Sequence, residues 1–165
     1  MNLEDIINIW EAHQKRPKQP KDAVRFFDGK TPYSTHPLWC ATSIAVETDL
    51  DEKTREEGSL VLLYHDVKED TTRDLPDYLS GRVKYLISEM TFYGGMQEEM
   101  NEIWNKPKEV RLYKLYDKVN NLMSGSWMLP NKRKVYEEYT KKLLEDVERN
   151  YGNLNITKIA RAIIS

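Results

Sequence analysis

The chain has a single cysteine among its 165 residues, which excludes an intramolecular disulfide framework and is compatible with a reducing compartment. Cys40 lies in an apolar stretch between Trp39 and Ala41 with no basic group obviously placed to lower its pKa, so it reads as a core thiol and not a nucleophile. No stretch approaches the ~18 consecutive apolar residues of a membrane span, and no basic segment precedes an apolar core at the N-terminus. The expected location is therefore the cytosol, with no membrane partner. An excess of charge of either sign is also missing: 32% of residues are charged, yet the formal net charge is only -2. That balance argues against a nucleic-acid partner, so a charged ligand must be recognised locally. There is no alternating strand pattern, no internal repeat and no low-complexity tract.

What the sequence does have is helical periodicity, and it predicts an all-α fold in one domain spanning 1–165. Ile6, Ile7 and Trp10, with His13, mark a first helix over about 3–14. The basic segment Lys15 to Lys21, broken by two prolines, reads as a solvated loop. Residues 28–35 read as turn. Pro37 then opens a helix at its first position, with His36 at or next to the N-cap and an end near Asp49. A third helix over 51–64 becomes apolar all round, as a buried central element does. Asp74-Leu75-Pro76 opens a fourth, packed by Val83, Leu86, Ile87 and Met90, and Gly94-Gly95 breaks the chain. Leu112, Leu115, Val119 and Leu122 stripe the next helix, which carries Asp117 and Asn121 on another face. Helices over about 131–149 and 156–163 complete the chain, the first stopped by Asn150-Tyr151-Gly152.

Chemistry concentrates in His65-Asp66-Val67-Lys68-Glu69-Asp70, at the polar end of the apolar run Leu60 to Tyr64. An imidazole and a carboxylate there are costly to desolvate unless something satisfies them, and a divalent cation is the usual solution. On a continuous helix Glu69 stacks over His65 and Asp70 over Asp66, giving two columns on one side. With His36 and Asp117 added, two imidazoles and two carboxylates form a mixed nitrogen and oxygen site suited to manganese, iron, cobalt, zinc or magnesium. Glu69 or Asp70 then orients or deprotonates a water. Taken singly, each has a plainer role: His36 as a cap, the acidic pair as solvated surface, Asp117 in surface ion pairs with Lys114 and Lys118.

Three segments taken together, Tyr33-Ser34-Thr35-His36-Pro37, His65 to Thr71 and Lys114 to Leu122, resemble in order and spacing the HD superfamily of metal-dependent phosphohydrolases. Within it they look most like the guanosine tetraphosphate (ppGpp) hydrolases of the RelA/SpoT class and their small stand-alone relatives, over about residues 25–125. The resemblance implies a helical HD bundle with His36, His65, Asp66 and Asp117 as metal ligands, manganese as the ion, and Glu69 and Asp70 as the pair that activates water. It implies that Arg25 packs on a purine ring, with Arg16 as the alternative if the loop is aligned differently, and that Asn121 contacts the nucleotide. Two positions depart from the pattern. Thr91-Phe92 stands where the family has Thr-Lys, and Asp117-Lys118 where it has Asp-Arg, which leaves Lys118 as the substrate-binding cation there and weakens the expectation of a substrate with two pyrophosphates.

The implied function is hydrolysis of a phosphate or pyrophosphate ester of a nucleotide, first of all 3′-pyrophosphate removal from ppGpp. Small HD nucleotidases acting on deoxynucleoside monophosphates are a second likeness, through Tyr64 to Glu69 and Asp74-Leu75-Pro76; in that reading Asp74 replaces Asp70 beside the phosphate. A dNTP hydrolase and an inactive nucleotide-binding module are the further alternatives. The sequence leaves the oligomeric state open.

Overall fold

The computed structural model of the protein describes residues 1–164, and among them it has nine α-helices and no strand. They are α1 (Leu3–Lys15), α2 (Thr35–Ala45), α3 (Glu52–Tyr64), α4 (Val67–Asp70), α5 (Gly81–Met90), α6 (Gly95–Glu102), α7 (Lys108–Met123), α8 (Pro130–Tyr151) and α9 (Asn155–Ile164). The all-α expectation holds. No helix is long and apolar enough to cross a membrane, among the described residues.

Capping sets several of the starts. Asn2 and Asp5 form a reciprocal capping box on α1, at 3.0 and 2.7 Å. Asp51 accepts from the Thr54 backbone N–H at 2.9 Å to begin α3, and Ser80 accepts from that of Val83 to begin α5. Pro130 occupies the first turn of α8, and Gly152, at φ +81°, ends it in a backbone region that side chains disfavour.

Several boundaries differ from the sequence reading: α2 stops at Ala45 and not near Asp49, and three further differences have identifiable causes. The second helix begins at Thr35, two residues before Pro37, because the first turn has no intrahelical use for its N–H groups and so tolerates proline beyond the first position. Ser34 is therefore the N-cap, and His36 lies two residues beyond it, inside the first turn. Residues 74–80 are irregular, and the helix expected to open at Asp74 waits until Gly81. Tyr78 explains the delay: its hydroxyl donates to Asp5 at 2.7 Å, drawing this stretch across α1. Finally, Gly95–Glu102 forms α6 although its sequence has few apolar residues to show a periodicity.

The core lies where α2, α3 and α7 pack together, with α5 against α3 and α7 and with α8 and α9 closing over α7. Leu62, Leu63, Ile44, Leu112, Leu115 and Val119 are completely buried there, in one cluster that runs from Ile9 of α1 to Ala160 of α9. Burial of aliphatic side chains contributes about 1.5–3 kcal/mol each, against the entropy of ordering the chain. The polar end of α3 opens beside the first turn of α2 and the middle of α7, and this junction carries the candidate site.

Candidate metal centre and active-site cleft

Four elements deliver the four ligand candidates to one point. His36 comes from the first turn of α2, His65 and Asp66 from the break between α3 and α4, and Asp117 from the middle of α7. The break corrects the picture of one continuous helix. His65 bonds back through Nδ1 to the Leu62 carbonyl at 2.7 Å, and α4 restarts at Val67. The Asp70 N–H still reaches the Asp66 carbonyl at 2.9 Å, but Glu69 turns away and accepts from the Phe92 N–H at 2.8 Å.

His65 Nε2 lies 3.0 Å from Asp66 Oδ1, and His36 Nε2 lies 3.5 Å from Asp66 Oδ2 and 3.3 Å from Asp117 Oδ1. Both imidazoles have a fixed tautomer. His65 donates from Nδ1 to a carbonyl, and His36 donates from Nδ1 to Asn120 Oδ1 at 2.7 Å, an amide oxygen whose orientation is set because it also accepts from Arg25. Each ring therefore turns a lone pair on Nε2 toward carboxylate oxygens, and neither Nε2 has a hydrogen-bond partner. Burial pushes His65 down from its usual pKa and keeps it neutral. Lone pair facing lone pair in a buried site is repulsive, and a cation between them converts it to coordination. The residues fit a divalent metal: His36, His65 and Asp66 offer ligand atoms within 4.8 Å of one another. Asp117 faces the same point with one oxygen, while its other oxygen is held by Lys118 at 3.1 Å and Lys114 at 3.4 Å. Those two ammonium groups overcome the burial that opposes ionisation and hold Asp117 well below the usual carboxylate range.

Lys114 and Lys118 are not surface ion-pair partners: both are buried, and both also contact the buried Glu99, at 3.3 and 2.8 Å. Tyr139 donates to the same carboxylate at 2.9 Å. Beside this neutralised cluster sit the two acids expected to handle water. Burial raises Glu69 to about 7, opposed by Lys114, and raises Asp70 to about 8, helped by the neighbouring Asp66. Carboxyls poised there can take a proton near neutral pH.

The site opens into a cleft of two adjoining lobes. A polar lobe of about 250 Å³ lies over Asp66, Glu69, Asp70 and Asp117. A second lobe of about 270 Å³ is walled by Phe26, Phe92, Met96, Trp127, Met128 and Tyr136. Tyr33, Glu69, Lys118 and Asn121 border both. The structure thus brings together His36, His65, Asp66, Asp117, Glu69, Asp70, Lys118 and Asn121, with Arg25 at the wall of the second lobe. Arg25 is 6% exposed, and its Nη2 donates to Asn120, Asn121 and Ser124 at 3.3, 3.2 and 2.6 Å. Asn121 in turn donates to Asp117 Oδ1 at 2.7 Å. Arg16 and Asp74 are exposed and line neither lobe. Cys40 is buried, and burial raises its thiol well above the usual range, as fits a core residue.

Four contributors carried no role in the sequence reading. Tyr33 donates to Asp66 Oδ2 at 2.7 Å, and His13 packs on the Tyr33 ring at 4.8 Å. Asn120 orients His36, and Glu99 neutralises the two lysines. Tyr33 and Asn120 lie inside the segments that carry the resemblance, which is the signal that could have found them. Glu99 sits in a polar helix whose sequence gives no sign that one of its acids is buried.

No family model matches the chain, and no curated protein matches it. Among solved structures, a metazoan ortholog of SpoT that hydrolyzes ppGpp and plays a role in starvation responses matches with a TM-score of 0.72 and 22% identity. The match covers 98% of this chain and 92% of the other, so the two share one all-α fold from end to end.

Proposed function

We propose that the protein is a metal-dependent phosphohydrolase acting on a nucleotide, and that it removes the 3′-pyrophosphate of ppGpp. The observation that carries this reading is the pair of orphaned imidazole lone pairs facing Asp66 and Asp117, beside two acids raised toward neutral pH. The shared fold with a structure that hydrolyzes ppGpp supports it, as does the order of the three sequence segments. A divalent cation, with manganese as the first choice, would be held by His36, His65, Asp66 and Asp117, and supplies Lewis-acid polarisation of a phosphoryl oxygen and a more acidic water.

The chain's own groups do the rest. Tyr33 and Asn120 hold Asp66 and His36 in orientation. Glu69 or Asp70 accepts a proton from the attacking water as its oxygen bonds to phosphorus; the bond from phosphorus to the ribose 3′ oxygen breaks, and that oxygen takes a proton from solvent as it leaves. Lys118 and Asn121, at the border of the two lobes, contact the nucleotide between the reacting phosphate and the base. The decisive experiment is a panel of ppGpp, dNTPs, deoxynucleoside monophosphates and NADPH, each with several divalent metals. Manganese-dependent release of pyrophosphate from ppGpp, lost in Asp66→Ala, is the expected result. Turnover confined to monophosphates or dNTPs overturns the substrate, and no turnover of any compound overturns the enzyme.

A further inference from the structure

The helix that carries the two acids is too short to hold itself. α4 has four residues, and two backbone bonds close its turn, from the Asp70 N–H to the Asp66 carbonyl at 2.9 Å and from the Thr71 N–H to the Val67 carbonyl at 3.1 Å. A single turn fixes several dihedral angles for each bond it forms, so a helix of this length has no stability of its own. Its last carbonyls also need donors from outside, because a helix end leaves them without partners within the helix.

Lys18 supplies those donors from a segment far away in sequence. Its ammonium donates to the carbonyls of Lys68 and Glu69 at 2.6 and 2.8 Å, and its backbone N–H donates to that of Asp70 at 2.8 Å. Three of the four carbonyls of α4 therefore end on one residue, and the remaining one, of Val67, accepts from Thr71. The flanking chain continues the tie: Pro17 pairs with Thr71 in an antiparallel bridge, and the Thr72 N–H donates to the Arg16 carbonyl at 2.9 Å. The basic stretch that reads as a solvated loop is thus a clip on α4. A cation suits the negative end of a helix, and Lys18 directs its charge to carbonyl oxygens alone: among the described residues it has no carboxylate within ion-pair distance. Lys114 and Lys118 do the opposite, neutralising Glu99 and Asp117. Lys18 holds the acids of α4 by their backbone and leaves their carboxyl groups free to exchange a proton.

Resting on the reading of this cleft as a hydrolase site, we infer that Lys18 is a positioning residue for the reaction: by clipping α4 it sets where Glu69 and Asp70 stand over the polar lobe. The metal-ligand candidates are oriented by other contacts, His36 by Asn120, His65 by the Leu62 carbonyl, Asp66 by Tyr33 and Asp117 by Asn121. Placing the acids is therefore separable from binding the ion.

The test compares Lys18→Met and Lys18→Arg with wild type, and Lys141→Met, exposed and lining neither lobe, controls for the loss of a surface charge. Amide hydrogen exchange at Asp70, Thr71 and Thr72 reads the clip without substrate. Lys18→Met is expected to speed it about tenfold and to leave α3 and α7 unchanged. With ppGpp and manganese, the same variant is expected to lower kcat about ten- to hundredfold while KM and the manganese Kd stay within about twofold. Lys18→Arg, whose guanidinium carries donors for both carbonyls, is expected to stay within about threefold of wild type in kcat. Unchanged exchange in Lys18→Met overturns the inference. So do faster exchange with kcat unaltered, a manganese Kd that weakens in step with kcat, and a Lys18→Arg variant as slow as Lys18→Met. A wild type that turns over no nucleotide overturns the hydrolase reading, whereas exchange, read without turnover, still decides whether Lys18 holds α4; the two failures are distinguishable.

Discussion

At the scale of the residue, Glu69 and Asp70 differ from the acids around them in how their charge is treated. Glu99 and Asp117 are buried as well, but each faces two lysines and stays ionised. For Glu69 burial outweighs the one opposing ammonium of Lys114, and for Asp70 burial is reinforced by Asp66, which raises them to about 7 and about 8. A general base must be deprotonated to act, so turnover should rise with pH and level off. A bound cation pulls both groups down, placing the inflection at or below about 8. A pH–rate profile that is flat from pH 5 to 9, or that falls with pH, contradicts this assignment. Glu69→Gln and Asp70→Asn should each lower kcat by roughly 10²-fold or more while metal content, measured by elemental analysis, stays near one ion per chain. Asp74→Asn should behave as wild type, since Asp74 is exposed and outside the cleft. A large loss there would restore the nucleotidase alternative.

At the scale of the element, the site depends on how closely α3 lies against α2 and α7. Gly58 makes that approach possible: a Cβ built on it would meet Ile44 Cδ1 at 2.6 Å and Tyr113 Cε1 at 2.7 Å. Gly58→Ala gains about 1 kcal/mol of helix propensity but forces two packed side chains aside, a cost of about 1–3 kcal/mol. The variant is expected to be destabilised, with Tm falling by about 2–4 °C for each kcal/mol lost. Because α3 carries His65 at its end, metal affinity should weaken in parallel. An unchanged or raised Tm would show that α2 and α7 can move apart at no cost. The break after Tyr64 is the second device at this scale. It lets Asp66 face His36 and Asp117 while α4 swings its acids over the polar lobe.

For the whole molecule, a cation at the candidate metal centre and the acids beside it would set up opposing pH responses in stability. The folded-state pKa of Asp70 lies above its unfolded value of 3.8, so the native state binds the extra proton and stability is lost as pH rises through about 8. Chelated protein should therefore melt at lower temperature at pH 8 than at pH 5, and Asp70→Asn should flatten that slope. Manganese at about a hundred times its Kd should restore about 2.7 kcal/mol, and the resulting rise in Tm should vanish in His65→Ala and Asp66→Ala. A rise that survives in both variants would mean that the stabilising ion binds elsewhere.

Periodicity and capping were sufficient to read most of this architecture from the sequence. The stripes of α1, α3, α7 and α8 are long and amphipathic or wholly apolar, and local rules govern them. The candidate ligands were legible for a similar reason: His36, His65, Asp66 and Asp117 belong to short segments whose order and wording carry a resemblance, and the fold gathers them at one point. Tertiary contacts decided the remainder. Tyr78 reaching Asp5 keeps residues 74–80 from joining α5, and the tie of Lys18 to α4 turns a basic loop into one wall of a cleft. Glu99 looks like a surface acid until α6 folds it onto two lysines of α7, where the low dielectric makes ionic pairing nearly obligatory. Helix periods and caps depend on near neighbours and are written in the chain itself. Which charges are cancelled and which remain free for a ligand depends on groups far apart in sequence, and only the folded arrangement brings them within reach.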